Sequence, residues 1–407
     1  MKEFMLSSIK VIDFTSNLAG PTAGALLADH GARVIHVEKP VVGDDNRNWA
    51  EQVDGCCTSH IVWNRGKESV EIDLKDLVGQ QIALKLVKDA DVVIESAKPG
   101  SMDNFGLGYE AIKSINPRIV YCSISAFGHT GPYSSRPGYD IIAQAYSGFM
   151  YYTSPEENGV PTKITPTIAD FIAGMNAYGN IMAALYSREQ TGRGQFIDIA
   201  LTRSLVFMWG ALTHPYTGKP NRCREGNVNA ALCPYGLFRF NDDTYLAIGA
   251  ANNALFRKLC QAMDRKDMEE NPDFATVSLR ARNMKAVYAE IENWLSGFNS
   301  IESAIEILDA HGVANCKVQS LEDLEKDLHA LECGWIREIP TPDSVKSRPY
   351  QLATVGIADF SEFDLRIEKA PDLGQHNYKV LGEIGLSKDE VDQLEAKWAE
   401  KVKATRH

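Results

Sequence analysis

Short apolar runs alternate with helical segments through the first third of the chain, and that alternation limits the fold more than any other feature. Ile9 to Phe14 is followed by a Gly/Pro/Ala-rich segment, Leu18 to Ala28, and then by a second apolar run, Val34 to Val37. This is a strand, a helix and a strand, which implies parallel pairing. Ser69 to Leu74, Asp91 to Glu95 and Ile119 to Ser125 repeat the strand pattern, with helical stretches at Val78 to Lys88 and Asn104 to Ile115 between them. The expected fold class is α/β, a doubly wound, Rossmann-like large domain.

Further along, Thr167 to Arg188 is helical and rich in small residues (Ala169, Ala173, Gly174, Ala177, Ala183, Ala184), and it stops at Thr191-Gly192-Arg193-Gly194. Small side chains there predict close backbone packing. Gln195 to Leu201 alternates as a strand, and a helix follows through Leu212. From Pro215 to Pro234 the chain is rich in Gly, Pro and Asn, the composition of a connection. Gly236 to Phe240 and Thr244 to Gly249 flank Asn241-Asp242-Asp243, a hairpin signal. With helices around Asn253 to Met263, Leu279 to Gly297 and Ile301 to Ala310, and a strand at Ala314 to Val318, they predict a smaller α+β domain. The final helical pattern, Leu386 to Ala404, places Val391, Leu394, Trp398 and Val402 on one face for docking. The expected division is a large domain from 1–200, a linker at 201–235, a small domain at 236–330, a linker at 331–345, and a return to the large domain at 346–407.

Charge narrows the function. With 42 Lys and Arg against 54 Asp and Glu, the net charge of −12 repels polyanions and argues against a nucleic-acid partner. The eight cysteines show no CxxC spacing and read as reduced thiols, with no metal site. Met1 to Ser8 carries Lys2 and Glu3 rather than the apolar core of a signal peptide. The longest apolar stretch, around Leu205 to Leu212, falls short of the ~20 residues that span a bilayer. A cytoplasmic protein with no membrane partner is expected.

The opening strand, glycine-containing turn, helix and Glu38 invite a dinucleotide-binding reading. The turn Thr15-Ser16-Asn17-Leu18-Ala19-Gly20-Pro21-Thr22-Ala23-Gly24 lacks the G-x-G-x-x-G spacing that lets a pyrophosphate approach backbone amides. A nicotinamide site is therefore not expected.

A set of ordered motifs points elsewhere. They are Asp13-Phe14-Thr15 with Ala19-Gly20-Pro21, Gly31-Ala32-Arg33-Val34-Ile35 with Glu38-Lys39-Pro40, and Gly66-Lys67-Glu68-Ser69 with Asp73-Leu74-Lys75. Lys98-Pro99-Gly100, Asn116-Pro117-Arg118, Gly128-His129-Thr130-Gly131-Pro132, Tyr139-Asp140, Ala169-Asp170, Thr191-Gly192-Arg193-Gly194 and Gly374-Gln375-His376 follow. In order and spacing they resemble the class III CoA-transferase family, which includes formyl-CoA transferases and the carnitine and bile-acid CoA-transferases. The resemblance implies an interlocked homodimer that moves CoA from an acyl-CoA donor to a small carboxylic acid. CoA would be a substrate, with no prosthetic group, metal, nicotinamide or ATP required.

By the same resemblance Asp170 is the nucleophile, passing through an aspartyl mixed anhydride and an aspartyl-CoA thioester. A carboxylate nucleophile keeps the thioester's free energy in an activated acyl bond. Thr167-x-x-Asp170 is also a capping-box pattern at a helix start, and both readings stand on the sequence. A helix N-terminus would favour the ionised carboxylate. The family's CoA contacts fall on Leu18, Ala19, Lys39, Ile72, Asp73, Leu74, Lys75, Ser96, Ala97, Lys98, Asn104, Arg136, Tyr139 and Asp140. Lys39, Lys75 and Lys98 are equally readable as solvated surface lysines, and Asp140 as a helix cap.

Two departures stand out: Leu18 replaces a glutamine of formyl-CoA transferases, and Asn104 replaces an arginine. Their four-glycine loop has no counterpart, since the region offers only Gly226 and Pro234-Tyr235-Gly236. Two other functions are open. An α-methylacyl-CoA racemase pairs its aspartate with a histidine in a G-H-D segment, where this chain has Gly138-Tyr139-Asp140, and a phenol of pKa ~10 replaces imidazole poorly. A non-catalytic acyl-CoA-binding protein is the other.

Overall fold

The computed structural model describes residues 4–154, 159–210, 212, 216, 218, 226–229 and 231–405. These residues form two compact units. One comprises residues 1–149, 163–212 and 331–407, and the other 150–162 and 213–330. Half of the expected Pro215 to Pro234 connection lies outside the described residues.

The first unit is built on a six-stranded parallel sheet. Its strands are β1 (Lys10–Phe14), β2 (Arg33–Glu38), β5 (Lys67–Glu71), β6 (Val92–Glu95), β7 (Val120–Ser125) and β8 (Gln195–Ala200), in the order β5-β2-β1-β6-β7-β8. Between β2 and β5 lie the two-residue strands β3 (Gln52–Val53) and β4 (Cys56–Cys57), which make a small antiparallel hairpin. Successive residues of a strand point to opposite faces, and both faces here are apolar. Val11, Val34, Val92, Ile94, Val120 and Cys122 belong to one core, with Ala23 and Leu27 of α1 (Ala19–Asp29). Ile12, Ile35, Val70, Val93 and Tyr121 belong to the other.

That second core also takes Ile82 and Leu86 from helix Leu77–Lys88 and Val391 and Trp398 from helix Lys388–Thr405. The docking face expected of the C-terminal segment is thus formed: Val391 and Trp398 are buried and Leu394 packs against them. Helices on both sheet faces make the unit doubly wound, as the strand pattern predicts.

The long small-residue helix runs from Ile168 to Thr191 and lies against α1 in the first core. A Cβ built on Gly174 would stand 2.7 Å from the carbonyl oxygen of Ala19 and 2.8 Å from Cβ of Thr22. Only glycine lets the two backbones come this close. Helix Leu201–Phe207 follows β8 directly.

In the second unit, β10 (Leu232–Arg239) and β11 (Tyr245–Gly249) form the expected hairpin. They extend to the four-stranded order β12-β11-β10-β9, with β9 at Val228–Asn229 and β12 at Ala314–Lys317. Phe238, Leu246 and Ile248 pack on Leu259, Val287, Ile291 and Leu308 from three helices. Arg280 is fully buried and donates to the carbonyls of Cys233 and Phe274, both at 2.8 Å.

Gly174→Ala is expected to destabilise the protein by about 1–3 kcal/mol, because the added methyl group meets backbone rather than a movable side chain. Equilibrium denaturation in urea reads this directly, and an unchanged midpoint would show that the helices yield without loss.

Candidate active site

The strand order reverses at β1, with β2 on one side and β6 on the other. In open parallel sheets such a switch point leaves a crevice outside the carboxyl ends of the strands. Here those ends run into Thr15-Ser16 and Ser96-Ala97, and the amide of Ser16 donates to Ser96 Oγ at 3.0 Å across the gap. A cavity of about 590 Å³ opens at this point, within the range of small-molecule sites. Phe14, Thr15 and Ser16 line it at β1, Lys39 and Pro40 after β2, Ile72 to Lys75 after β5, and Ser96 and Ala97 after β6. Met102, Phe105, Lys401 and Val402 complete the wall.

A buried charge network forms the floor. Lys67 Nζ lies 2.9 Å from Asp13 Oδ2 and 2.9 Å from Asn64 Oδ1. His36 sits between Asp13 (3.4 Å) and Asp44 (3.5 Å). Burial alone would lower the His36 pKa, but the carboxylates of Asp13 and Asp44 raise it to about 9, so the ring is an imidazolium. Burial would likewise raise Asp13, yet Lys67 and His36 hold it well below the usual carboxylate range. Glu38 accepts from Arg47 Nε and Nη2 at 2.7 Å each, from Ser69 Oγ at 2.6 Å and from the amide of Asp44 at 2.8 Å. Asp44 Oδ1 in turn accepts from the amide of Asn17 at 2.9 Å, which fixes the turn entering α1.

Asp170 occupies the first turn of helix Ile168–Thr191. The capping box is not formed: Thr167 is the N-cap residue, but its side chain makes no capping bond. The cap is supplied from elsewhere, since the amide of Ala169 donates to Asp140 Oδ1 at 2.9 Å. Gln144 braces this arrangement. Its Nε2 donates to Asp140 Oδ2 at 2.7 Å and to the carbonyl of Ile164 at 3.1 Å, and its Oε1 accepts from the amide of Ile164 at 2.8 Å.

Asp170 is left partly buried, and its carboxylate has no hydrogen-bond partner among the described residues. Burial, with the charge of Asp140 second, raises its pKa to about 7. Burial and a like charge both act against the ionised form that the helix start alone would favour. Gly174 lies one turn further on, on the same helix face, against Ala19. Asp170 thus shares the helix face whose next turn packs on the start of α1, and it is not among the residues that line the crevice.

Of the sequence-derived contacts, Lys39, Ile72, Asp73, Leu74, Lys75, Ser96 and Ala97 come together around the cavity. Leu18 and Ala19 are buried at the start of α1, beside it in the chain. Lys98 lines a separate cavity of about 190 Å³ with Glu95 and His129. Asn104 is exposed at the end of the short helix Ser101–Asn104, between Met102 and Phe105. Arg136 stacks on Tyr133 at 3.7 Å, and Tyr139 is 70% exposed. Asp140 is buried with both oxygens engaged inside the protein. Thr15, Ser16, His36 and the Lys401–Val402 pair were missed. The first two follow from the switch-point rule once the strand order is known. For Lys401, the 18-residue helix Lys388–Thr405 offers no comparable signal beyond its apolar face.

With that geometry in view, the comparisons are decisive. The model of CoA-transferase family III matches residues 6–377. Human succinyl-CoA:glutarate CoA-transferase is 34% identical over 384 residues, covering 93% of this chain and 86% of that protein. The succinate–glutarate CoA-transferase of Agrobacterium fabrum is 34% identical over 389 residues, covering 93% and 95%. A crystal structure of a CAIB/BAIF family protein from Brucella suis superposes with a TM-score of 0.82 at 32% identity, covering 94% of this chain and 100% of that one. The chain belongs to CoA-transferase family III and is a CoA-transferase.

The Asp170 pKa has a consequence for stability. The folded state holds this proton up to about pH 7, whereas an unfolded aspartate releases it near 3.8. Between those values the native state binds more protons than the unfolded state, so the contribution of this site to stability falls as pH rises. Asp170→Asn is expected to raise the melting temperature relative to wild type at about pH 8 and to match it near about pH 4. Parallel melting curves for the two proteins across that window would overturn the assignment.

Proposed function

We propose that the protein transfers CoA from a donor acyl-CoA to an acceptor carboxylic acid through covalent catalysis at Asp170. The observation that carries this reading is a half-buried carboxylate with raised proton affinity and no hydrogen-bond partner among the described residues, on a helix that packs against the start of α1. Asp170 attacks the donor carbonyl and the C–S bond breaks, leaving an aspartyl mixed anhydride and CoA thiolate. The thiolate attacks the aspartyl carbonyl and releases the donor's acid, forming an aspartyl-CoA thioester. The acceptor carboxylate then attacks that thioester and frees the thiolate again. In the last step the thiolate attacks the acceptor's acyl carbon, which yields the new acyl-CoA and restores Asp170. Every step exchanges one activated acyl bond for another, so no proton is consumed.

CoA is a substrate in this reading and lies in the crevice, its phosphates drawn by Lys39 and Lys75 and its remaining length against Ile72, Leu74, Ser96 and Ala97. The glutarate and succinyl-CoA in the names of the relatives support a dicarboxylate acceptor and a dicarboxylate-derived donor. Racemisation is disfavoured, because the residue beside Asp140 is an exposed phenol and Asp140 itself caps a helix.

The same reading includes a homodimer and a cytoplasmic setting. Helices Asp140–Ser147 and Leu201–Phe207 pack together and leave Ile141, Ile142, Tyr146, Val206 and Phe207 exposed, a patch suited to a second copy. Cys56, Cys57, Cys122, Cys233, Cys260 and Cys316 carry free thiols, which suits a reducing compartment. No described helix is long and apolar enough to cross a membrane.

Asp170→Asn is expected to lower transfer between succinyl-CoA and glutarate by at least about 10³-fold while CoA still binds. Wild-type protein trapped with succinyl-CoA and hydroxylamine should carry its modification on Asp170 alone, as read by mass spectrometry. Appreciable transfer by the asparagine variant, with deamidation excluded, would overturn the mechanism. For the dimer, sedimentation at micromolar concentration should show two chains, and a monomer would reject it.

A further inference from the structure

We propose that Asn46 is a positioning residue for CoA transfer: it holds Asn17 in the left-handed turn that joins the crevice to α1, and so sets the approach of a bound thioester to Asp170. This rests on the assignment of the crevice to CoA and of Asp170 to the chemistry. Asn17 has a φ of 69°, in the left-handed region that asparagine tolerates better than most residues but still occupies at a cost. Ser16 before it lines the crevice, and Leu18 after it is the N-cap residue of α1. The carbonyl of Ala19 then meets the helix that carries Asp170, at Gly174. On that reading, the thioester end of a CoA held in the crevice reaches Asp170 past this one turn.

A left-handed asparagine persists only where its surroundings dictate it. Both backbone groups of Asn17 are held: its amide donates to Asp44 Oδ1 at 2.9 Å, and its carbonyl accepts from Asn46 Nδ2 at 2.9 Å. The Asn17 side chain adds a bond from its Nδ2 to Ser16 Oγ, at 3.2 Å. Asn46 is inaccessible to solvent and is itself fixed from two further sides. Its amide donates to Asp44 Oδ1 at 3.1 Å, and its Oδ1 lies 2.8 Å from Nδ1 of His60, a second fully buried side chain. Because a backbone carbonyl only accepts, the side-chain nitrogen of Asn46 faces Asn17 and its oxygen faces His60. Asp44 also balances the charge of His36, so replacing it would disturb the ionic floor of the crevice. Asn46 is uncharged, and its replacement releases the Asn17 carbonyl without touching that balance.

Asn46→Ala is expected to lower kcat for transfer between succinyl-CoA and glutarate by about tenfold to a hundredfold, the scale for a reacting group misplaced by up to about 1 Å. KM for succinyl-CoA should stay within about threefold, because the crevice wall keeps its side chains. In a single turnover, the rate at which hydroxylamine-trapped adduct appears on Asp170 should fall by the same factor as kcat. A merely structural asparagine would lower the melting temperature and leave kcat per folded molecule within about twofold, and that result overturns the proposal. A raised KM with kcat unchanged overturns it as well. Should Asn46→Ala fail to fold, position 17 decides. Asn17→Ala and Asn17→Gly both lose the side chain, but only glycine takes the left-handed turn freely. The glycine variant is expected to exceed the alanine variant in kcat by about fivefold or more, and equal values overturn the proposal. Asp170→Asn separates the two levels. Transfer by that variant removes the proposed function itself. Its inactivity, together with wild-type kcat in Asn46→Ala, leaves the function standing and rejects the positioning role alone.

Discussion

The ion pair between Asp13 and Lys67 is the constraint on which the crevice is built. Both side chains are inaccessible to solvent, a position that is tolerable only when the charges are paired and further hydrogen bonds support them. Lys67 has Asn64 as its second acceptor, and Asp13 Oδ1 takes both the amide and the hydroxyl of Thr15, at 2.9 and 2.5 Å. Those bonds set the direction in which the chain leaves β1. His36, charged between Asp13 and Asp44, then couples the end of β2 to the loop that holds Asn17. Breaking a buried pair by removing one partner destabilises by about 3–5 kcal/mol. The lip of the crevice is therefore tied to the sheet by a pair that is costly to break. Gly24 belongs to the same arrangement, because a Cβ there would stand 2.8 Å from both Asp13 Oδ2 and Lys67 Nζ.

Much of the fold was legible because strands with apolar residues on both faces leave continuous runs, and the two cores divide them residue by residue. The motifs that carried the family resemblance were legible as an ordered set, although their purpose was not. Asp13, Glu38, Lys67 and Ser69 turn out to be one polar network. Gly374 donates its amide to Ser69 Oγ at 2.9 Å, and His376 Nδ1 accepts from the amide of Ser69 at 3.1 Å. Partners some three hundred residues apart leave no periodic trace in one sequence.

The same limit explains what sequence reasoning misplaced. Thr167-x-x-Asp170 has the spacing of a capping box, yet the box does not form, and the helix start takes a cap at the neighbouring amide of Ala169 from Asp140 of another helix. Local patterns cannot register a competitor that arrives through tertiary structure. Lys98 and Arg136 stand with Lys39 and Lys75 by position in the family resemblance, and the fold separates them in space. The fold sends Lys98 into a neighbouring cavity and lays Arg136 on Tyr133. Residues 150–162 group with the second unit although no change in composition marks them.

Two carboxylates compete for one helix start, and the outcome gives each a different chemistry. Asp140 takes the amide of Ala169 and is braced by Gln144, so its charge is spent on holding the helix in place. Asp170 receives none of that stabilisation and is buried beside the charge of its competitor. A carboxylate in that position binds a proton, or an acyl carbon, more avidly than one in water. On the proposed mechanism, higher proton affinity would also lower the ionised fraction at a given pH, so the reactive population and its intrinsic nucleophilicity would pull in opposite directions. The compromise would lie where the pKa meets the working pH, and a value of about 7 would suit that role near neutrality. An aspartate that capped its own helix would be held ionised by the amide and would be the weaker nucleophile. The cap from Asp140 would then leave Asp170 at a helix start with its own charge unspent.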